Sequence, residues 1–421
     1  QDCAVMKILR LTEGVQRELL RKRREHDAQA HRIAARIVAD VRKRGDVALR
    51  AWTAKYDGGD VRESFWISRR ELENARKIAS KDLLRAIEHA ARNIRAMAEK
   101  QPPREWKMEV EPGVTIAQVV RPIESVGCYI PGGCFSLLST LLMTVIPAQV
   151  AGVKRIVVVS PKPNAELLAA ANILGLRSVA KVGGAQAIAA LAYGTVSIAA
   201  VDKIFGPGNR FVTAAKQLVS ADCAIDLPAG PTEAIVLANS GNAKWVAADL
   251  LAQAEHAPDA ASFLVTTSRA FAQRVQIEMR KQLEALPLAN PAHVSVVRSC
   301  AILFAASMKL AWEFVHRFAP EHLSLPQDRF SSKADIRAVG TVFLGPWSAQ
   351  PFGDYASGSN HVLPTAGWAR ARGGLSTADF VKSITTQTIT RTGFQRLARD
   401  VQTLAHAEGL LAHAHAVEVR R

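Results

Sequence analysis

Val179-Ala-Lys-Val-Gly-Gly-Ala-Gln-Ala-Ile-Ala-Ala-Leu-Ala-Tyr193 is a short apolar run, a glycine pair and a helix-forming run in succession. The same order precedes and follows it in the chain. The pattern predicts strands at 156–159, 179–182 and 202–205, and helices at 165–174, 185–193 and 209–219. Alternation of this kind indicates a parallel β-sheet covered by helices on both faces.

A second series of alternating elements follows towards the C-terminus. The pattern predicts strands at 234–237, 263–265 and 294–297, with helices at 243–255 and 268–286. A further strand is predicted at 114–120, whereas 6–97 and 378–419 have mostly helical patterns. The sequence therefore predicts an α/β fold with two related halves that meet near Pro228-Ala-Gly230.

Composition restricts the classes of protein to which the chain can belong. Its 421 residues are enough for two or more domains, and 48% hydrophobic with 22% charged residues is ordinary for a globular protein. No apolar run approaches the roughly 20 residues that a membrane span requires. We expect no membrane association, and we interpret Met6 as the native start.

The chain is strongly basic, with 54 Lys and Arg against 38 Asp and Glu and a net charge of +16. Its densest basic cluster, Arg17-Glu-Leu-Leu-Arg-Lys-Arg-Arg-Glu25, contains apolar and acidic residues but no aromatic side chain that could stack on bases. No known nucleic-acid motif accompanies it. A solvated helix is the better interpretation, and we expect no nucleic-acid partner.

The five cysteines, Cys3, Cys128, Cys134, Cys223 and Cys300, have no paired zinc-type spacing. An odd number in a chain of this length is a poor disulfide framework. The sequence therefore favours a reducing, cytoplasmic location.

Side chains typical of metal sites occur in four separate segments. Gln253 and His256 are three residues apart at the end of a predicted helix, so that both lie on one face. The other segments are Ala319-Pro-Glu-His322, Gly353-Asp-Tyr-Ala-Ser-Gly-Ser-Asn-His361 and Glu408-Gly-Leu-Leu-Ala-His413. Imidazole, carboxylate and amide oxygen suit a borderline dication such as zinc. The residues indicate a metal-dependent enzyme.

Three glycine turns follow predicted strands, at Tyr129-Ile-Pro-Gly-Gly133, Gly183-Gly-Ala-Gln186 and Gly206-Pro-Gly-Asn209. In open α/β sheets, ligands bind beyond the carboxyl ends of strands, where helix N-termini offer free amides to anions. None of the three matches the spaced dinucleotide fingerprint, and a glycine after a strand is often only a tight turn. They leave open a ligand that bears phosphate.

Together these motifs resemble those of the histidinol dehydrogenase family, and they occur in that family's order. The matching segments are Tyr129-Ile-Pro-Gly-Gly133, 182–192, Asp202-Lys-Ile-Phe-Gly-Pro-Gly-Asn209, Pro228-Ala-Gly-Pro-Thr-Glu233, Gln253-Ala-Glu-His256, Pro320-Glu-His322 and Asn360-His-Val-Leu-Pro-Thr365. The likeness extends from Arg44-Gly-Asp46 to Ala412-His413.

The resemblance implies that L-histidinol is oxidised through L-histidinal to L-histidine, the last steps of histidine biosynthesis, while two NAD molecules are reduced. It implies zinc, one per subunit, bound by Gln253, His256, Asp354 and His413, and an acid/base pair formed by Glu321 and His322. Substrate would contact those zinc ligands, His322, Thr232, His361 and Glu408. NAD would contact Tyr129, Gln186 and Asn209. Thr232 stands where the family usually has serine, and it retains the hydroxyl.

The resemblance also implies an architecture of two Rossmann-like α/β domains facing a cleft, the second inserted in the first, with helical N- and C-terminal extensions. We expect an N-terminal extension at 1–23, a first domain at 24–128 and 234–375, an inserted domain at 129–233, and a C-terminal tail at 376–421. We expect a homodimer in which this tail reaches the partner chain and the active site is shared.

Two other functions fit parts of the sequence. A related zinc- and NAD-dependent dehydrogenase would oxidise another polar alcohol on the same scaffold, but Glu408 and His361 argue for histidinol. A non-catalytic basic binding protein would explain the charge, but it gives no reason for the Glu321-His322 pair.

Overall fold

The computed structural model describes residues 6–24, 28–58, 64–132, 137–227, 230–327 and 336–421. Its strands are β1 (Lys7–Arg10), β2 (Trp66–Ile67), β3 (Trp106–Glu111), β4 (Val114–Pro122), β5 (Ser125–Tyr129), β6 (Arg155–Ser160), β7 (Val179–Lys181), β8 (Lys203–Phe205), β9 (Ala224–Ile225), β10 (Glu233–Leu237), β11 (Ala261–Thr266), β12 (Ala301–Phe304), β13 (His322–Leu325), β14 (Thr341–Leu344) and β15 (Val381–Ile389).

The helices alternate with most of these strands. They are α1 (Glu13–Arg24), α2 (Ala28–Arg44), α3 (Asp46–Asp57), α4 (Arg69–Ile78), α5 (Lys81–Ala98), α6 (Leu138–Val150), α7 (Ala165–Ile173), α8 (Gly184–Tyr193), α9 (Arg210–Val219), α10 (Ala243–Ala254), α11 (Arg269–Glu284), α12 (Ala292–Arg298), α13 (Met308–Phe318), α14 (Gln350–Tyr355), α15 (Arg391–Ala407) and α16 (Leu411–Glu418). Two short 3₁₀ helices span Trp368–Arg370 and Thr377–Phe380. Within the described ranges, no helix has the length and hydropathy needed to cross a membrane.

Two six-stranded sheets organise the fold. The outer sheet has the order β1-β12-β11-β10-β13-β14 with all strands parallel. The inserted sheet has the order β2-β7-β6-β5-β8-β9 and is parallel apart from β2. All residues of the central strands β5 and β10 are buried, as expected of strands covered on both faces. The predicted α/β class with parallel sheets is confirmed.

The chain enters the outer sheet at β1, leaves it for the whole inserted sheet, and returns at β10. One α/β unit is thus inserted in the other. The sheets change between β9 and β10, near the predicted junction, of which Pro228 and Ala229 lie outside the described residues. That the two units face each other across a cleft stays a prediction.

The inserted unit is longer than its expected span of 129–233. Strand β5 already belongs to the inserted sheet, and α2, α4 and α5 pack against α9, α7 and α6 of that unit. The segment expected at 24–128 of the first domain therefore packs with the inserted sheet over its described part. No strand was predicted among the helices of this segment, and the helices against which they pack lie later in the chain.

Each of the two terminal segments was expected to be a helical extension, but each contains a strand. Lys7–Arg10 forms β1 at the edge of the outer sheet, where it pairs with β12. The tail begins with β15, which pairs antiparallel with β4 in a three-stranded sheet, β15-β4-β3. Alternating β-branched residues favour this strand. After it, α15 and α16 pack on each other, as the predicted helical pattern requires.

One predicted strand is wrong, because 294–297 lies in α12. The three valines there suggested a strand, but the buried residues of this segment are Ala292, Ser295 and Val296, which have helical spacing. The Asn290 side chain also accepts a hydrogen bond from Ala292 N at 2.9 Å, an interaction typical of a helix start.

The turn from β8 to α9 requires glycine at Gly206. Its φ is +111°, and a Cβ there would overlap the carbonyl oxygen of Tyr129 in the neighbouring strand. The turn is fixed by its N–H, which donates to Asp226 at 2.7 Å, and by its carbonyl, which accepts from Lys216 at 2.8 Å. Lys216 and Asp226 form a buried ion pair. The glycine therefore allows two loops of the inserted sheet to lie in contact.

We expect Gly206→Ala to destabilise the protein more than Gly241→Ala. Gly241 has a similar φ of +117°, but a Cβ at that position would have nothing within 4 Å, so it reports backbone strain alone. That strain costs about 1–3 kcal/mol, and overlap with Tyr129 adds about 1–3 kcal/mol more. Urea unfolding measures both variants, and equal losses of free energy would contradict the proposed close contact.

Candidate active site

The candidate residues from the second half of the chain converge at the amino ends of β10 and β13. These strands are neighbours, with Ala234 opposite His322. Thr232 directly precedes β10 and Glu321 directly precedes β13, so both lie at the same edge. Helix α10 runs back along the sheet after β10, which returns Gln253 to this edge. Three segments far apart in sequence therefore meet at one position.

The hydroxyl of Thr232 connects two of the predicted site residues. Its Oγ1 lies 2.6 Å from Glu321 Oε2 and 3.2 Å from Gln253 Oε1. A hydroxyl has one proton, and the shorter distance and the carboxylate charge both favour donation to Glu321. The buried Gln253 Nε2 has no hydrogen-bond partner within the described part of the chain. The amide of Gln253 is therefore under-bonded, as a side chain awaiting a ligand would be.

Glu321 is 6% exposed and His322 3% exposed, so the pair is nearly dry. Glu321 Oε2 also accepts a hydrogen bond from Glu233 N at 2.9 Å, which fixes the carboxylate from the side of β10. Oε1 of Glu321 accepts no hydrogen bond from the described residues, and it remains free for a water or substrate. In such a site, charges interact more strongly than in water.

The imidazole of His322 lies between two carboxylates. Its Nδ1 is 3.6 Å from Glu321 Oε2 and its Nε2 is 3.8 Å from Asp354 Oδ1, and neither nitrogen has a hydrogen-bond partner among the described residues. Burial disfavours the imidazolium, but the charges of Glu321 and Asp354 outweigh burial and raise the pKa of His322. No described residue occupies either nitrogen, so the unprotonated nitrogen of the neutral ring is available to accept a proton from a bound molecule.

Asp354 stands among three imidazoles. Burial alone would favour its neutral form, but the neighbouring His322 outweighs burial and lowers the pKa of Asp354, which favours the carboxylate. The exposed His256 has Nδ1 2.9 Å from the carbonyl of Ala252. A carbonyl only accepts, so Nδ1 carries the proton and Nε2 keeps a lone pair, which is the arrangement of a metal-binding histidine.

His361 joins the inserted unit to the outer sheet. Its Nδ1 is 2.8 Å from the carbonyl of Asp354, and its Nε2 is 3.1 Å from Thr140 Oγ1 on α6. The carbonyl requires a proton on Nδ1, and Nε2 then accepts from the Thr140 hydroxyl. Burial lowers the pKa of His361, which favours this neutral form. His361 is thereby placed next to Asp354 with a defined tautomer.

The structure does not bring Glu408 and His413 to this group. Both are exposed at the end of α15 and in α16, and they have no hydrogen bond to the described residues of the site. Within the described ranges, no cluster of three or more His, Cys, Asp or Glu side chains is arranged to hold a metal. Gln253, His256 and Asp354 offer one amide, one imidazole and one carboxylate to a metal. These three groups suit zinc chemically, but they are fewer than the four ligands of a complete tetrahedral site.

The predicted cofactor residues lie at the carboxyl ends of strands in the inserted sheet. Tyr129 ends β5, and its hydroxyl accepts a hydrogen bond from Gly184 N at 3.2 Å at the start of α8. Burial raises the pKa of Tyr129 to about 12, so it stays a neutral phenol. Asn209 caps α9, accepting from Phe211 N and Val212 N at 3.0 and 3.1 Å.

Asp57, which the sequence did not single out, connects Gln186 to the glycine turn. Its Oδ2 accepts from Gln186 Nε2 at 3.2 Å and from Gly183 N at 3.1 Å. Burial raises the pKa of Asp57. Its position in Tyr56-Asp57-Gly58, at the end of a helix and before a glycine, was the available signal.

Two further residues support the Glu321 side of the site. Arg23 on α1 forms a buried, two-pronged ion pair with Glu233 and donates to the carbonyls of Phe318 and Ala319. Burial raises the pKa of Glu233 to about 7, and Arg23 opposes that shift. Ala319 has a φ of +53°, a left-handed turn that leads into Glu321. Arg23 lies in the basic cluster interpreted as solvated, a prediction that is wrong at this residue.

Comparison with known proteins places this geometry in one family. The model of the histidinol dehydrogenase family matches residues 20–421. The chain is similar to histidinol dehydrogenase of Methanothermobacter thermautotrophicus, with 47% identity over 92% of each chain. It is also similar to histidinol dehydrogenase of Escherichia coli K12, with 45% identity over 91% of this chain and 89% of that one.

A solved structure gives the same result. The crystal structure of histidinol dehydrogenase from Elizabethkingia anophelis superposes with a TM-score of 0.92 at 38% identity, over 99% of this chain and 98% of that chain.

Proposed function

Because the chain belongs to the histidinol dehydrogenase family, we propose that it oxidises L-histidinol through L-histidinal to L-histidine and reduces two NAD molecules in succession. Membership makes it an oxidoreductase of histidine biosynthesis. The observation that supports the reaction most strongly is the group formed by the partly buried Thr232 with the buried Glu321, His322 and Asp354, near the amino ends of β10 and β13.

His322 acts as the general base in both oxidations. Removing hydride from a carbinol carbon requires that the hydroxyl proton leave to a neighbouring base, and imidazole titrates in the right range. Both ring nitrogens lack hydrogen-bond partners among the described residues, so a substrate hydroxyl has no competitor there. The carboxylates of Glu321 and Asp354 on either side stabilise the imidazolium that forms.

Glu321 serves the second oxidation. An aldehyde must add water before it can lose hydride and become an acid. Thr232 and the backbone N–H of Glu233 occupy Oε2 of Glu321, which leaves Oε1 to orient or deprotonate that water. The held carboxylate presents a fixed acceptor, which is the condition for efficient positioning.

Zinc is proposed to be bound by Gln253, His256 and Asp354 of one chain with His413 of the partner subunit. The free Nε2 of His256, the ionised Asp354 and the under-bonded Gln253 amide suit it. Bound there, the metal would hold the imidazole and amine of the substrate. Thr232, His361 and Glu408 complete the substrate contacts with the zinc ligands and His322.

NAD is proposed to bind at the inserted sheet. Strand order there reverses between β5 and β8, and crevices at such reversals are where open α/β sheets bind ligands. Tyr129 and Asn209 follow these two strands, and Gln186 lies at the start of α8. Bound NAD would accept the hydride released in each oxidation.

We propose a homodimer whose site is shared, because Glu408 and His413 lie on a tail that does not reach the site within its own chain. The apolar side chains of Leu404, Leu410 and Leu411 are exposed on that tail, as expected of a surface that packs on a partner. The described cysteines Cys128, Cys223 and Cys300 are free thiols, which suits a cytoplasmic enzyme.

The function is tested by following absorbance of reduced NAD with L-histidinol as substrate. We expect two NAD reduced per histidinol, loss of the activity after exhaustive chelation, and recovery with zinc or manganese. Full activity in a demonstrably metal-free sample would refute the metal, and activity only with other polar alcohols would refute the substrate.

The roles of Glu321 and His322 can be separated by measuring the oxidation of L-histidinol and that of L-histidinal individually. Glu321→Gln should impair histidinal oxidation more than histidinol oxidation, because only the former needs water. His322→Asn should lower both rates by roughly 10²–10⁴-fold. Each half-reaction is measured with its own substrate, L-histidinol or L-histidinal. The matched controls are Glu99→Gln and His89→Asn, which change exposed side chains outside the active site. Near-wild-type rates of both half-reactions in either site variant would contradict the assignment.

Mixed dimers test whether the site is shared. Gln253→Ala and His413→Ala proteins, each inactive, are unfolded together and refolded. In a mixed dimer with shared sites, one site has both lesions and the other has neither. Random pairing makes half the dimers mixed, so about a quarter of wild-type activity should return. If no activity returns while mass measurement confirms mixed dimers, the tail acts within its own chain.

A further inference from the structure

A small cavity lies at the carboxyl end of the outer sheet, opposite the edge that holds the candidate active site. Its volume is about 50 Å³. It lies where β13 and β14 end and α10 begins, and its lining includes Asn242, Trp245, Asp249, Ser324 and Ser348. None of the described residues that line it is assigned to substrate, metal or NAD.

The position of this cavity is one at which α/β sheets bind ligands. The order of the outer sheet reverses between β10 and β13, as that of the inserted sheet does between β5 and β8. Crevices beyond the carboxyl ends at such reversals are the usual ligand positions. In the inserted sheet this position is proposed for NAD. In the outer sheet the catalytic residues lie at the amino ends, which leaves the equivalent crevice without a function.

Asp249 is the one ionisable side chain among the described residues that line the cavity. Within the part of the chain that the structure describes, it has neither an ion-pair partner nor a hydrogen-bond donor. Burial raises the pKa of Asp249 to about 7. A partly buried carboxylate without a partner is costly to the fold, and a cation that bound beside it would remove that cost.

Aromatic and hydroxyl groups next to Asp249 favour an organic cation. Trp245 and Trp347 have ring centroids 5.1 Å apart, and both indoles are exposed, by 41% and 78%. Cations bind favourably over indole rings. Ser348 Oγ donates to Leu344 O at 2.5 Å, so its lone pairs are free to accept an N–H. A single carboxylate is a poor ligand set for a divalent metal.

We propose that this cavity binds a small organic ammonium group, with Asp249 as its counter-ion and acceptor, Ser348 as a second acceptor and Trp245 as the apolar wall. The volume suits a group of methylammonium size. Any longer chain attached to the nitrogen would extend out of the cavity towards solvent. The same chemistry is offered by a free amine and by a lysine side chain of another protein.

Binding is measured on the full-length protein by tryptophan fluorescence and by calorimetry, with methylammonium chloride at constant ionic strength. Saturable binding is expected in the wild type. Asp249→Asn should weaken it by about tenfold or more, since hydrogen bonds to charged groups contribute about 1.5–3 kcal/mol. Asp82→Asn, at an exposed carboxylate, should bind as the wild type does. A lysine-containing peptide titrated in parallel distinguishes a protein side chain from a free amine.

A second variant guards against misfolding of Asp249→Asn. Trp245→Ala removes the partly exposed ring that forms the apolar wall of the cavity, and it should weaken binding about two- to fivefold, consistent with roughly 0.5–1 kcal/mol for an exposed cation–π contact. No saturable binding in the wild type, an equal response to sodium chloride, or unchanged affinity in both variants would overturn the proposal.

Discussion

The parallel pairing of β10 with β13 is the constraint on which the candidate active site depends. These strands are separated by more than eighty residues of chain, yet their register sets Ala234 against His322. Because side chains in a pleated sheet have fixed directions, this register determines which groups meet at the amino edge. The hydrogen bonds from Thr232 and from Glu233 N to Glu321 follow from it. A slip of one residue would separate the carboxylate from both donors.

Arg23, on helix α1, also stabilises the amino edge of the outer sheet. It neutralises Glu233, which would otherwise be a second buried carboxylate beside Glu321. It also holds the carbonyls of Phe318 and Ala319. Breaking a buried pair by removing one partner costs about 3–5 kcal/mol. The positive charge of α1 is therefore part of the electrostatic balance of the site, although no proposed substrate atom touches it.

The sequence was sufficient where chemistry and local structure coincide. Gln253 lies in the last turn of α10, as its helical pattern predicts, whereas His256 follows the end of that helix. The glycine turns follow strands whose ends are marked by composition. These features depend on neighbours in the chain, which a sequence displays directly. The proximity of Asp354 to His322 came only from the family resemblance, because the elements that bring these residues together are assembled by tertiary pairing.

Other features could not be read from the residues. The importance of Arg23 arises from its burial, and its exposed neighbours Arg21 and Lys22 have the same charge without that environment. The valines at 294–297 fit a strand as well as a helix until their burial is known. The strands β1 and β15 pair with segments hundreds of residues away, and local periodicity contains no information on such partners. Glu408 and His413 lie exposed and away from the candidate site within one chain, so neither local sequence nor the fold of a single chain places them there.

The pairing of β1 with β12 has a consequence for synthesis of the protein. Lys7 leaves the ribosome almost three hundred residues before its partner Ala301. All strands of the inserted sheet emerge in between, so that unit has its complete set of strands first. During that interval the apolar face of β1 and α1 has no sheet to cover it. The nascent chain therefore exposes the apolar side chains of β1 and α1 while most of the fold is still being translated, and the high positive charge of α1 opposes self-association during that interval.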